Sequence, residues 1–309
     1  MKVALFGGTG FVGGDLVRAL LESGHEPSVL VRPGSENKLV ENGRCRVTSG
    51  DIADEQAIAA TLQDCDAAIY NIGILRAFPR RGITFEALHF EGACRVIDAA
   101  KRLGVRRFLM MSANGVKSPG TPYQDTKYRA DEHLASSGLD WTIFRPSVIF
   151  GDSGGMQEIS HQLYSELVKP PVPAPAFHNG LSPRGNGVVM SPVSIRDVAD
   201  AFAAALQNSE TIGKTYDLGG PEALTWEEMI KRVAEAAGKK KIILPMPIGL
   251  MKIAATLFDW LPFFPATRDQ LQMLSEGNVA DPAPLESLID RPAAGFSADN
   301  LSYLRDRDY

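Results

Sequence analysis

The sequence predicts an α/β fold: a doubly wound parallel sheet over residues 1–151, followed by a smaller C-terminal α+β lobe over 152–309 that interleaves with it. Three observations predict this. Short β-branched runs alternate with helical periods through the first half, a glycine-rich loop follows the first run directly, and the alternation breaks after Gly151. The runs Lys2–Phe6, Pro27–Arg32, Arg44–Thr48, Ala67–Asn71, Arg106–Met111 and Trp141–Phe144 read as strands. Helices are expected over Phe11–Ser23, Glu55–Leu62, Phe85–Leu103 and Tyr123–Ser136, with Gly24, Gly104 and Gly138 placed to end three of them. Apolar strands joined by helical crossovers imply a parallel sheet covered on both faces, because right-handed crossovers put the helices there.

The second half reads differently. The proline-rich stretch Lys169–Gly187 is expected to be irregular, and shorter elements follow: a strand near Val188, a helix over Ile195–Gln207, a strand near Tyr216 and a helix over Trp226–Ala237. Thr225 and Glu228 have capping-box spacing at the start of that last helix. The charged end, Ser302–Tyr309, is expected to fray.

Composition narrows the function classes. With 309 residues, 44% apolar and 22% charged, the chain has an ordinary globular profile. Its net charge of −5 offers no global attraction to a phosphate backbone, so nucleic acid is not expected as a partner. Cys45, Cys65 and Cys94 have no CxxC spacing, which supports neither a disulfide framework nor a metal cluster; reduced, buried thiols are expected. The N-terminal apolar run passes straight into the glycine loop, too short for a signal peptide, and a cytoplasmic location is expected.

Gly7-Gly8-Thr9-Gly10-Phe11-Val12-Gly13 lies between the first strand and the first helix. That context turns a glycine spacing into a dinucleotide site of the Rossmann type. Gly7 permits the tight turn, Gly10 lets the backbone approach a pyrophosphate, and Gly13 lets helix and strand pack closely, while the helix N-terminus presents unpaired N–H groups. At the end of the second strand an acid would bind the ribose hydroxyls, whereas an Arg suits a 2′-phosphate. Arg32 stands there, with Arg18, Ser35 and Lys38 near in sequence, so NADP(H) is expected over NAD(H). Asp51 and Ile52 follow the third strand, where an acid reaches the adenine amino group; a solvated turn aspartate is the alternative.

GGTGFVG at Gly7–Gly13, GDIAD at Gly50–Asp54, YQDTK at Tyr123–Lys127 and FRPSVIFG at Phe144–Gly151 together make the chain resemble the extended and atypical short-chain dehydrogenase/reductase superfamily, which includes epimerase/dehydratase-like proteins. IYNIGIL, HFEGACRVIDAAKRLGVRRF, PVSIRDVADAF and FPATRDQLQML are most similar to the branch containing the NADPH-binding accessory subunit of respiratory complex I and its bacterial relatives. The resemblance implies that Tyr123 exchanges a proton with a substrate oxygen, while Lys127 binds the nicotinamide ribose and lowers the tyrosine pKa. A Tyr and a Lys four apart share a helix face, and a phenol titrating near ~10 needs a nearby cation to ionise at neutral pH. Pro146 fits the segment that flanks the nicotinamide in that family; a strand-ending turn is the plain alternative. Two departures stand out. Ala113 falls where the family carries a catalytic Ser or Thr, leaving Ser112 or Asn114 as substitute donors, and His89 falls where an Asn is usual, either as a proton relay or as a buried, hydrogen-bonded histidine.

Two functions follow from this. One is an NADP-dependent oxidoreductase acting on a carbonyl, alcohol or quinone-like hydrophobic substrate; the other is a non-catalytic NADPH-binding structural or assembly protein of a respiratory, complex I-like membrane complex, with that complex's subunits as partners. The apolar segment 242–265 bears on both. Pro247–Leu261 is expected to be helical, with Ile248, Met251, Ala255, Phe258 and Trp260 or Leu261 to one side and Phe263-Phe264 beyond. It either lines the substrate cleft or packs on the core, or it is an apolar surface for a protein partner or the membrane interface, docking the protein on a membrane complex at the inner face of the membrane. The sequence carries no statement of oligomeric state.

Overall fold

A computed structural model describes residues 1–152, 154, 158–180, 182, 187–258 and 267–306. In chain order the elements are β1 (Lys2–Phe6), α1 (Phe11–Glu22), β2 (Glu26–Val31), β3 (Arg46–Ser49), α2 (Glu55–Leu62), β4 (Ala67–Tyr70), α3 (Gly92–Leu103), β5 (Arg107–Met111), α4 (Pro122–Ala135) and β6 (Asp140–Pro146). Then come β7 (Ile149–Phe150), α5 (Ile159–Gln162), β8 (Ala174–His178), β9 (Val189–Met190), β10 (Val193–Ser194), α6 (Ile195–Gln207), β11 (Lys214–Leu218), β12 (Leu224–Thr225) and α7 (Trp226–Ala236). The last are β13 (Ile243–Pro247), α8 (Ile248–Phe258), α9 (Arg268–Glu276), α10 (Ala283–Ile289) and α11 (Tyr303–Asp306).

Seven strands form one all-parallel sheet in the order β11-β6-β5-β4-β1-β2-β3. The order reverses direction between β1 and β4, which is where open α/β sheets open a crevice at the carboxyl ends of their strands. β1, β4 and β5 are almost wholly buried, as the apolar runs require of a sheet covered on both faces. β3, at the edge, is mostly exposed. Beneath α2, α3 and α4 the core gathers Phe6, Ile58, Leu62, Tyr70, Val96, Ile97, Phe108 and Leu134.

The chain divides into two compact units. The first holds Met1–Pro146, Ile195–Leu218 and Ala283–Arg291; the second holds Ser147–Ser194, Gly219–Pro282 and Pro292–Tyr309. The division therefore falls at Pro146 rather than Gly151, and α6 with β11 belongs to the sheet unit rather than to the lobe. β11 does so because it pairs with β6 over its whole length, Lys214↔Thr142 to Leu218↔Pro146. Arg107 ties the same region together: its guanidinium donates to the Asp140 and Ala205 carbonyls and to the Thr142 and Thr211 hydroxyls at 2.7–2.9 Å. The second unit has its own core, built on Phe150, Phe177, Trp226, Met229, Ile230, Val233, Leu271 and Phe296. Its α7 carries the expected capping box of Thr225 and Glu228.

Four expectations need correction. Phe85–Leu103 is not one regular helix, because Glu86–Glu91 forms a widened turn with five-residue hydrogen bonding before α3 begins. The proline-rich stretch contains β8, paired in parallel with β13 from Ala174↔Ile243 to His178↔Pro247. Prolines are tolerated there because a two-stranded sheet has only edge strands, whose outward positions need no N–H. Of the stretch Ser302–Tyr309 expected to fray, the part over Tyr303–Asp306 is helical, with Leu304 buried and the Tyr303 hydroxyl 2.6 Å from that of Ser160; residues 307–309 lie outside the described residues. The three cysteines are free but half-buried, not fully buried.

Candidate functional site

The phosphate end of the site is made of backbone. Gly7 holds φ at +102°, and a Cβ there would stand 2.9 Å from the Asn71 carbonyl carbon and oxygen. A Cβ on Gly13 would lie 2.1 Å from the Gly7 oxygen, and one on Gly8 would lie 2.6 Å from Val29. Gly10 is different, being exposed and with nothing closer than 3.5 Å to a built Cβ. The loop thus folds tightly on itself at Gly7, Gly8 and Gly13 and stays open at Gly10. Gly10 also starts α1 without any side-chain cap, and the first turn of α1 carries no acid, so the positive end of the helix is unneutralised by its own residues. Thr9, Phe11 and Val12 are half-buried around it. These residues fit a pyrophosphate, since the cradle a side chain would fill has been kept empty.

Around this loop the expected contacts divide. Arg32 immediately follows β2 and is exposed, its carbonyl accepting from the Ser35 N–H; Lys38 is exposed close by in the chain. Arg18 pairs with Asp15 at 3.4 Å on α1. The Asp51 carboxylate accepts from the Ala53 N–H at 3.0 Å, the behaviour of a turn aspartate. Ile52 is buried in the core beside Gly92, where a Cβ would lie 3.1 Å from it, so its side chain is committed to packing.

The other end of the site is made of side chains at the carboxyl ends of β4 and β5. Thr121 caps α4 in a full capping box with Gln124, with Pro122 in the first turn. This fixes the helix start and puts Tyr123 and Lys127 one turn apart on one face. Lys127 is buried and its Nζ donates to the Met111 carbonyl at 2.9 Å; a Cβ on Gly73, in the loop after β4, would stand 3.8 Å from that nitrogen. Burial lowers the Lys127 pKa to about 8 against the opposing charge of Asp131. Tyr123 stands edge-on to Phe85 and His89, with centroids 5.9 and 5.2 Å away. Burial pushes its phenol above the usual range. The expected lowering by Lys127 is not found: the ammonium sits 5.9 Å from the ring centroid and is turned to Met111.

Ser112 and His89 both have protein partners. The Ser112 hydroxyl is buried and donates to Asp131 Oδ2 at 2.9 Å, while Arg145 pairs with the same oxygen at 2.8 Å. That hydroxyl is therefore hydrogen-bonded within a buried ion pair. Ala113 and Asn114 are the half-buried residues at this strand end, and the Asn114 N–H donates to the Pro146 carbonyl at 2.9 Å. Pro146 is the last residue of β6, buried, and supports that loop. His89 Nε2 accepts from the Ile74 N–H at 3.0 Å, so the ring proton must be on Nδ1, directed at the Thr126 hydroxyl 3.4 Å away. Burial lowers its pKa to about 2. His89 is thus a neutral, buried and hydrogen-bonded histidine.

Two features escaped sequence reasoning. Asp131, four residues after Lys127, joins Ser112, just past β5, to Arg145 on β6, and its Oδ1 is buried without a partner. The spacing from Tyr123 to Lys127 to Asp131 was visible, but its buried partners were not. The widened turn before α3 is the other: the Tyr70 hydroxyl donates to the Leu88 carbonyl within it, and Gly92 leaves room for Tyr70 where a Cβ would stand 2.7 Å from its oxygen. Among the described residues no cluster of His, Cys, Asp and Glu could hold a metal ion.

A family model described as NAD(P)H-binding matches residues 7–166, more than half of the chain and all of the residues just described except the first strand. The chain belongs to the NAD(P)H-binding family. Among curated relatives it is 26% identical over 286 residues to the mitochondrial NADH-ubiquinone oxidoreductase 40 kDa subunit of Neurospora crassa, covering 90% of this chain and 72% of that protein. It is 23% identical over 291 residues to the photosystem II assembly factor Ycf39 of Synechocystis, covering 92% and 84%. It is 25% identical over 324 residues to the chloroplastic divinyl chlorophyllide a 8-vinyl-reductase of Cucumis sativus, covering 99% and 74%. Two solved structures share the fold: the UDP-glucose 4-epimerase of Thermus thermophilus in complex with NAD (TM-score 0.72, 21% identity, 99% and 98% covered) and the NADPH-dependent quinone oxidoreductase QOR2 of Escherichia coli (0.69, 20%, 98% and 99%). The match begins at the glycine loop, and the seven-stranded parallel sheet is the Rossmann arrangement. No helix among the described residues is long and apolar enough to cross a membrane.

Proposed function

We propose that this protein is an NADPH-preferring reductase of carbonyl or quinone-like substrates. The observation that carries the proposal is Lys127: a lysine fully withdrawn from water, one helical turn from Tyr123, at the strand ends next to the glycine loop. A buried ammonium is costly, and a fold keeps one where its charge or its hydrogen bonds are used. With its pyrophosphate at the loop, a reduced dinucleotide would supply the hydride. Lys127 would hold the ribose hydroxyls, and Tyr123 would give its phenolic proton to the substrate oxygen and regain one from solvent. Because burial raises the tyrosine pKa, the phenol is a proton donor at neutral pH, which favours reduction over alcohol oxidation. Arg32, exposed at the end of β2, supports the preference for the 2′-phosphate.

A second reading rests on Ala113 and on the commitment of Ser112 to Asp131, which leave a substrate oxygen short of one donor. In it the nucleotide is held to stabilise the fold and is not turned over, as part of a complex I-like membrane assembly whose subunits are the partners; the relatives named as a respiratory subunit and as an assembly factor favour it. A ligand present at a thousandfold excess over its Kd adds about 4 kcal/mol of stability, so a non-reacting cofactor has a physical use. Both readings go with a cytoplasmic protein at the inner face of a membrane. The deciding experiment mixes the NADPH-loaded protein with quinones, aldehydes and ketones and follows the reduced-nicotinamide absorbance. Loss of the band with one class, abolished by Tyr123→Phe, supports the reductase; no loss with any class supports the structural reading.

A further inference from the structure

The second unit carries a surface that the nucleotide site does not use. Five of the twelve large apolar side chains exposed among the described residues lie on three neighbouring elements: Val172 (61% exposed) just before β8, Ile242 (69%) and Leu244 (52%) at the start of β13, and Leu250 (61%) and Ile253 (62%) on α8. The inward face of the same elements is satisfied, with Ala174, Ile248 and Ala255 buried in the core of this unit. On α8, Leu250 and Ile253 are three residues apart, so they project from one side of the helix, away from Ile248 and Ala255. The helix is therefore apolar on both faces although only one has a core to fill.

Charge distinguishes what this outer face fits. In a chain of net charge −5, no acidic residue occurs between Glu235 and Asp259 or between Glu166 and Asp197, the two stretches that supply β8, β13 and α8. Lysines occur instead: Lys239, Lys240 and Lys241 run directly into exposed Ile242, and Lys239 and Lys240 are exposed. Lys241 donates to the Val168 and Pro170 carbonyls, which brings the lysine run up to the chain entering β8. Among the described residues, the five exposed apolar side chains of this face are all aliphatic. Aliphatic side chains projecting beside an acid-free lysine cluster match an anionic bilayer surface, where chains enter the acyl boundary and ammonium groups meet the headgroups.

We infer that the β8–β13–α8 face docks the protein on an anionic lipid surface, with Leu250, Ile253, Ile242 and Leu244 entering the interface and Lys239 and Lys240 facing the headgroups. The test is flotation of the full-length chain with vesicles of phosphatidylcholine alone or mixed with phosphatidylglycerol. Recovery with the mixed vesicles at least tenfold above that with the neutral ones is expected, reduced about tenfold by Leu250→Asp with Ile253→Asp and, separately, by Lys239→Glu with Lys240→Glu. NADPH binding, read by nucleotide fluorescence, should be unchanged in both double variants, which shows that they fold and keeps this result separate from the fate of the reductase proposal. Absence of flotation with the mixed vesicles, or recovery unaltered by both variants, overturns the inference. So does light scattering that finds the parent dimeric and the Leu250→Asp, Ile253→Asp protein monomeric, because the face would then be an interface between copies of the chain.

Discussion

The two ends of the candidate site are built from different materials. At Gly7–Gly13 the working surface is backbone, and its shape follows from what is missing: side chains that would strike Asn71, Val29 or the Gly7 carbonyl. At Tyr123, Lys127, Ser112 and His89 the surface is side chains, and what each does depends on which distant residue it meets. The same residue types in the same spacing could have been assembled differently at the second end, but not at the first. A site made of absences tolerates almost no substitution, whereas one made of partners can be retuned one group at a time.

The largest effect should come from breaking the backbone end. Gly13→Val places carbon where the Gly7 oxygen stands, 2.1 Å from a built Cβ, and is expected to abolish NADPH binding in titration calorimetry while also lowering the melting temperature. Retained binding would show that the loop can rearrange and that the contrast between the two ends is overstated. Next, Tyr123→Phe should reduce turnover by about 100- to 10,000-fold, the usual share of general acid catalysis, with NADPH affinity nearly unchanged. Equal losses in affinity and turnover would mean that Tyr123 supports the fold rather than the proton.

Lys127 gives a smaller effect with a defined pH dependence. Its folded pKa of about 8 lies below the ordinary lysine value of 10.5, so between these limits the unfolded chain binds more protons. Stability should therefore rise with pH across about 8 to 10.5, by up to about 3 kcal/mol from this group. Lys127→Met should flatten that rise in urea unfolding; an unchanged slope would mean that the ammonium is better solvated than its burial implies. Asp131→Asn should move the start of the rise below pH 8, since it removes the charge that supports the ammonium. The smallest effect is at the rim: Arg32→Asp should weaken NADPH about tenfold, by ~1.4 kcal/mol, and NADH little, because an exposed charge pair with the 2′-phosphate is partly screened. Equal weakening of both nucleotides would remove the assignment of Arg32 to the phosphate.

How far the sequence could be read follows the same division. Strand and helix identity in the first unit was legible because burial on both faces of a parallel sheet forces continuous apolar runs, and because the helices stop at glycines that adopt φ near +74° to +79°, as Gly24, Gly104 and Gly138 do. The second unit was less legible. β8 and β13 are rich in proline and pair across 69 positions, as Ala174↔Ile243 shows, so neither local propensity nor period announces them. The widened turn at Glu86–Glu91 hid inside a helical pattern, since it is set by where the Tyr70 hydroxyl reaches and by the space at Gly92.

By itself, the sequence determined where the strands and helices of the first unit lie, the glycine loop and the one-turn spacing of Tyr123 and Lys127, because these rest on relations between residues close in the chain: period, turn conformation and spacing on one helix. Only the tertiary structure decided that Ser112 serves Asp131 and Arg145, that His89 is a neutral buried ring, that β11 completes the sheet, and that Leu250 and Ile253 face outward. Each of those outcomes turns on which remote group supplies the hydrogen bond or the cover. Burial sets the energy of such contacts, and burial is a property of the assembled fold rather than of any local stretch of chain.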